Sequence, residues 1–221
     1  MHNSLIIGAS GGIGSALAHV LRTRGSSVTG LSRTAHGLDV TDEASIRRHL
    51  GALDQTFDLI LVTTGALEID GAAPEKTIRD LTPQAMHDQF ALNTIGPAMV
   101  LKHALPLIPK DRACVIGVLS ARVGSIGDNR LGGWYSYRTA KAAVNQIVHS
   151  TAIELARSHR QAVLTALHPG TVATPFTRKY LGRHPSVPPE VAATNLLDVI
   201  DTLTPDHTGR FFDWSGAEVP W

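Results

Sequence analysis

The feature that most constrains this chain is an alternation. Five short apolar runs, at residues 4–8, 27–31, 58–62, 113–119 and 162–167, are separated by longer segments whose apolar residues recur three and four apart. Runs of strand length rich in Val, Ile and Leu, joined by one-sided helical segments at 12–24, 41–50, 82–108, 135–158 and 189–203, are the signature of βαβ units. A parallel strand can be reached only by a crossover, and a helix in that crossover covers the sheet. The spacing predicts an α/β fold: a doubly wound parallel sheet flanked by helices. With 221 residues the chain can fill one such core, so a single domain over 1–221 is expected. Thr41-Asp42-Glu43-Ala44 reads as a helix start with early acidic residues, and Pro106 and Pro109 are expected to close the 82–108 helix.

Composition narrows the function classes. A formal charge of +1 with both signs interspersed leaves no basic stripe for nucleic acid. No run approaches the roughly 20 apolar residues of a membrane span, and the first residues lack a secretion-signal pattern, so a soluble, cytoplasmic protein is expected. Cys114 lies in an apolar run and is expected to be a buried, inert thiol. The eleven histidines are scattered singly, with no His-Glu-x-x-His pair or Cys/His cluster, so no metal site is expected.

The first apolar run leads straight into Gly8-Ala9-Ser10-Gly11-Gly12-Ile13-Gly14, which opens the first helical segment. Glycines there permit positive φ and close approach of the backbone to a pyrophosphate, and the free N–H groups of a helix start favour an anion. The plain alternative is a tight strand-to-helix turn. In dinucleotide-binding folds the end of the second strand reads the adenine ribose: a carboxylate there binds the 2′-hydroxyl of NAD, whereas arginine suits a 2′-phosphate. Here that position is Ser32-Arg33, which favours NADP(H) over NAD(H). Asp39, followed by Val40, is placed to accept a hydrogen bond from an adenine amino group, or else to serve a helix start.

Further elements follow in order: Asn93 in Asn93-Thr94-Ile95-Gly96, Ser120 at the end of the fourth run, Tyr137-x-x-x-Lys141, and Pro169-Gly170 after the fifth run. Together with the glycine turn they resemble the short-chain dehydrogenase/reductase family, most closely its small carbonyl-reductase and C-factor-like members, over essentially the whole chain. The resemblance implies a Rossmann-type fold and an NADP-dependent oxidoreductase acting on CH–OH/C=O groups. It implies that Tyr137 exchanges a proton with the substrate oxygen, that Lys141 holds the nicotinamide ribose, that Ser120 donates to the substrate oxygen, and that Asn93 holds a water linking Lys141 to solvent. Thr64 and Gly65, in Thr63-Thr64-Gly65-Ala66 where the family has Asn-Asn-Ala-Gly, would line the cofactor. So would Pro169, Gly170, Val172 and Thr174, the last two through backbone and hydroxyl near the carboxamide.

The spacing of four puts Tyr137 and Lys141 on one helix face, where an ammonium is expected to lower the tyrosine pKa. Ser125 is the alternative serine, because 17 residues from Ser120 to Tyr137 exceed the family's usual separation. Segment 175–189, rich in proline and with Gly182, is expected to be a substrate-covering loop. The partner is expected to be a small carbonyl or alcohol, and the two long helices offer faces for a homo-oligomer. A cofactor-binding sensor of the same fold with little turnover is the reading from another class.

Overall fold

A computed structural model describes residues 3–174, 177, 179 and 185–221. Among these residues six parallel strands form one sheet in the order β2-β1-β3-β4-β5-β6. They are β1 (Asn3–Ile7), β2 (Ser27–Leu31), β3 (Leu59–Val62), β4 (Cys114–Leu119), β5 (Ala162–His168) and β6 (Phe211–Asp213). Among the described residues seven α-helices accompany them: α1 (Gly12–Thr23), α2 (Arg33–His36), α3 (Glu43–Gly51), α4 (Pro83–Phe90), α5 (Gly96–Ala104), α6 (Tyr135–Leu155) and α7 (Pro189–Thr202). This is the doubly wound architecture that the alternation of apolar runs predicts, and the Rossmann-type fold that the resemblance implies.

Strand alternation sends successive side chains to opposite faces, and the core divides accordingly. Leu5 and Ile7 of β1, with Ile60 and Val62 of β3, join the cluster under α3, α5 and α6. Ile6, Leu59 and Leu61 face the other way, into the cluster built by Ala16, Leu17 and Leu21 of α1 and Leu196, Leu197 and Ile200 of α7. Both faces of the central strands are thus sealed, which is why their sequences read as unbroken apolar runs rather than as alternating ones. No helix among the described residues is long and apolar enough to cross a membrane.

Two helical expectations are corrected. The 82–108 segment is not one helix: α4 passes into a π turn at Ala91–Ile95, then α5, and ends in a 3₁₀ turn at Leu105–Leu107. Pro97 has no N–H to give the carbonyl four residues back, and a local widening of the helix accommodates that loss. Helix α6 stops at Leu155, three residues short of the expected end. The helix start at residues 41–44 is as expected, with Asp42 accepting the Ala44 N–H at 2.9 Å. The strand β6 and the one-turn helix α2 have no counterpart in the sequence expectations; three and four residues are too few to display a period.

Because β2 lies on one side of β1 and β3 on the other, the chain reverses its winding between β1 and β3. The carboxyl ends of those strands flank the crevice where open α/β sheets place their ligands. The segments after β1, β3, β4 and β5 all emerge at this edge.

Candidate active site

The glycine turn after β1 is built for close approach. Gly8 takes φ +95°, and its carbonyl accepts the Gly11 N–H at 3.0 Å. A Cβ on Gly14 would collide with the Gly8 carbonyl oxygen and lie 2.8 Å from Thr63 Oγ1; one on Gly12 would lie 2.6 Å from Thr174 Cγ2. Helix α1 therefore starts pressed against the ends of β1 and β3 and against the segment after β5. Its N-cap Gly11 offers no side chain and its first turn holds no acidic residue, so the N–H groups of Gly12, Ile13 and Gly14 keep their affinity for an anion. Ser10 and Gly11 lie exposed at its mouth. Val172 is buried, and Ala173 N–H and Val187 N–H bond to Val187 and Thr171 carbonyls, tying the segment after Pro169-Gly170 to residue 187. Gly170, at φ +77°, lies under the Trp214 indole. Of the expected covering loop, residues 175, 176, 178 and 180–184 lie outside the described residues.

At the end of β2, Ser32 caps α2 through Ala35 N–H, and Arg33 is exposed as its first residue. Asp39 accepts both the N–H and the hydroxyl of Thr41, at 2.9 and 2.7 Å, and these bonds, with the nearby Arg33 charge, hold its carboxyl below the ordinary value. Val40 is buried, and its carbonyl approaches Gly96 so closely that a Cβ there would lie 2.9 Å away.

The catalytic candidates meet around Lys141 Nζ. This ammonium, on a residue 3% exposed, donates to the Leu119 carbonyl at 3.0 Å and sits 5.8 Å from the centre of the Tyr137 ring. A Cβ on Gly65 would lie 3.6 Å from Lys141 Nζ and 2.7 Å from Asn93 Oδ1, so Gly65, at φ +152°, is the gap that lets β3's end reach both. Asn93, fully buried in the π turn, donates Nδ2–H to the Ala66 carbonyl and to Gln89 Oε1, and accepts from Ala66 N–H. Its neighbour Thr94 donates to the Ala140 carbonyl at 2.8 Å and so fastens the turn to α6. Asn93 thus sits at a break in the helix with hydrogen bonds at both ends of its carboxamide.

Ser120, one residue beyond β4, is buried with its Oγ 2.6 Å from Asn145 Oδ1 on α6. Ser125 is buried too, but its hydroxyl accepts Asp128 N–H and closes its own loop. Thr64 Oγ1, between the glycine turn and Gly65, is buried with no hydrogen-bonding partner.

The expected lowering of the Tyr137 pKa is corrected. Burial pushes the phenol above its ordinary value, and burial draws Lys141 down to about 8. With Nζ turned to the Leu119 carbonyl, desolvation outweighs the attraction between ammonium and phenolate. Tyr137 is therefore a held proton donor at neutral pH. Cys114 is buried, and burial lifts its thiol to about 12. Among the described residues no group of three or more His, Cys, Asp or Glu is arranged to hold a metal ion.

Two residues escape a motif reading. Glu75, 6% exposed, receives the N–H of Ser136 at 3.2 Å and the Ser136 hydroxyl, while its own carbonyl accepts Trp134 N–H. It anchors the first turn of α6, which carries Tyr137, and both line a cleft with Leu67, Pro74 and Gln89. No local pattern marks a carboxylate 61 positions from its partner. Asn145 did carry a signal, being four residues past Lys141 on the same helix face.

The family model for short chain dehydrogenases matches residues 2–183. The chain belongs to the short-chain dehydrogenase family. It is 31% identical, over the full length of both proteins, to 1-hydroxy-2-glutathionyl-2-methyl-3-butene dehydrogenase of a Rhodococcus strain. It is 38% identical to C-signal of Myxococcus xanthus over 60% of this chain and 76% of that protein. A short-chain dehydrogenase/reductase of Burkholderia multivorans determined with bound NADP superposes over 100% of this chain and 99% of its own, with a TM-score of 0.83 and 26% identity. As a member of this family the chain is an oxidoreductase.

Proposed function

We propose that this dehydrogenase is an NADP(H)-dependent reductase of small carbonyl compounds, working reversibly on the corresponding alcohols, with Tyr137 as general acid and base. The observation that carries the reading is the convergence of Tyr137, Asn93, Gly65 and the end of β4 on Lys141 Nζ, at the sheet edge where the glycine turn also opens.

The residues fit a dinucleotide. The glycines let the start of α1 pack against the Gly8 carbonyl, Thr63 and Thr174 with its first N–H groups uncapped, and beside Gly8 the buried Thr64 Oγ1 has no hydrogen-bonding partner. Gly8 to Gly14 would hold the pyrophosphate, Ser32 and Arg33 the 2′-phosphate, and Asp39 with Val40 the adenine. Thr64, Gly65, Pro169, Gly170, Val172 and Thr174 would border the nicotinamide end. When bound, the nicotinamide supplies or takes the hydride.

The chain's own residues manage the proton and the oxygen. Tyr137, protonated because burial disfavours its phenolate, gives its hydroxyl proton to the substrate oxygen as negative charge gathers there. Lys141, still mostly cationic at pH 7 with a pKa of about 8, lies 5.8 Å from the ring and offsets the phenolate once the proton has gone. Ser120 donates to the same oxygen, and Asn93 holds the path from Lys141 toward solvent. Burial of Ser120, Tyr137 and Lys141 excludes water, which strengthens each of these interactions.

The test is turnover of a panel of aldehydes and ketones with NADPH or NADH; because of the Rhodococcus relative, the alcohol 1-hydroxy-2-glutathionyl-2-methyl-3-butene is included in the oxidative direction. Reduction that prefers NADPH supports the proposal. Tight NADPH binding with no turnover of any panel member favours the sensor reading, which the relation to C-signal keeps in view.

A further inference from the structure

Ser120 has one proton and, under the proposal above, must spend it on the substrate oxygen. Its surroundings decide whether that proton is available. Its N–H is already given to the Leu167 carbonyl at 2.8 Å, which fixes the residue against β5. Its Oγ lies 2.6 Å from the carboxamide of Asn145, a residue 3% exposed and one helical turn beyond Lys141. The other end of that carboxamide, Nδ2, is buried with no partner.

A carboxamide occupies nearly the same volume in its two orientations. With Oδ1 toward Ser120, the serine proton is consumed by Asn145 and an N–H₂ group is left buried and unpaired. With Nδ2 toward Ser120, the amide donates to Oγ, and the unpaired end becomes a carbonyl oxygen. Buried carbonyls tolerate under-satisfaction better than buried N–H groups. The serine's lone pair is then taken, and its proton is released to point into the site.

We propose that Asn145 is the positioning residue of Ser120: its carboxamide donates Nδ2–H to Oγ when substrate is bound, making Ser120 a donor toward the substrate oxygen. The inference rests on the carbonyl-reductase reading and adds to it the residue that sets the direction of the serine hydrogen bond. Asn145 touches neither substrate nor cofactor in this scheme; it acts only through Ser120.

The test is a double-mutant cycle with Ser120→Ala and Asn145→Leu, followed by kcat and KM with NADPH and a reducible aldehyde. Removing a preorganised donor costs about 100-fold in kcat, so Ser120→Ala is expected to fall by about that factor. Asn145→Leu should fall by about tenfold or more in kcat with KM little changed, and the double variant should be no worse than Ser120→Ala alone. A second variant separates this from simple packing. Asn145→Asp can donate to Oγ only while its carboxyl is protonated, so its kcat should rise as pH falls, a limb absent from the wild-type profile. NADPH titration of each variant checks that the fold is retained. Multiplicative losses in the double variant, or an Asn145→Asp profile parallel to that of the wild type, overturn this inference alone. A wild-type protein that reduces no carbonyl overturns the parent reading, and this one with it.

Discussion

Replacing Lys141 by methionine should stabilise the nucleotide-free protein while removing its activity. The lysine stem is buried and its ammonium is charged at neutral pH; burial draws its pKa from 10.5 to about 8. At 1.36 kcal/mol per pH unit, a shift of this size means that holding the charge at pH 7 costs the fold about 3 kcal/mol. Losing the bond to the Leu119 carbonyl returns about 1 kcal/mol of that. A methionine of similar length carries neither term, so Lys141→Met should be more stable by about 2 kcal/mol at pH 7. The sign of the pH dependence follows from proton counting. Between the folded and unfolded pKa values the unfolded chain binds more protons, so the wild type gains stability as pH rises from about 8 toward 10.5. By pH 9.5 it should have recovered about 2 kcal/mol and the advantage of the variant should be gone. Urea unfolding of both proteins at pH 7 and pH 9.5 measures this. A variant less stable than wild type at pH 7, or a difference that does not change with pH, would refute the argument that desolvation governs Lys141.

Gly14→Ala gains helix propensity but drives a methyl into the Gly8 carbonyl, backbone against backbone, so it should destabilise by about 1–3 kcal/mol and weaken NADPH binding in a fluorescence titration. Gly51→Ala is its control: nothing lies within 4 Å of the added methyl, and the urea midpoint should rise by an amount equivalent to about 0.5–1 kcal/mol. Arg33→Ala should weaken NADPH binding while leaving NADH nearly untouched; equal losses for both nucleotides would remove the 2′-phosphate assignment. Glu75→Gln keeps the volume but gives Ser136 one acceptor oxygen instead of two, so thermal unfolding should report a loss of about 1–2 kcal/mol, with a lower kcat as the first turn of α6 loosens.

The sequence was most legible where one physical demand acts locally. Ser27–Leu31 is bounded as expected because Gly25 ends the preceding helical segment and Ser32 caps the next turn. The glycine turn was readable because Gly8, Gly12 and Gly14 each sit where a Cβ would collide. The Tyr137–Lys141 pair was readable because one helix supplies both residues.

What was not legible depends on the third dimension. Phe211–Asp213 is a strand only because β5 offers an edge beside it. The π turn at Asn93 lies four residues before Pro97, in a helix held to α6 by Thr94, a contact that spacing alone does not display. Glu75 matters through a partner 61 positions away. The Tyr137 pKa ran opposite to expectation because spacing predicts which charges are neighbours but not how much water the fold removes from both.

The most direct test of the central claim is to compare wild type with Tyr137→Phe for NADPH binding by fluorescence and for aldehyde reduction on the same preparations. Equal NADPH affinity is expected, with turnover reduced by at least about 100-fold, the loss of a general acid and nothing else. A Tyr137→Phe protein that binds NADPH and still reduces the aldehyde at the wild-type rate would contradict that claim.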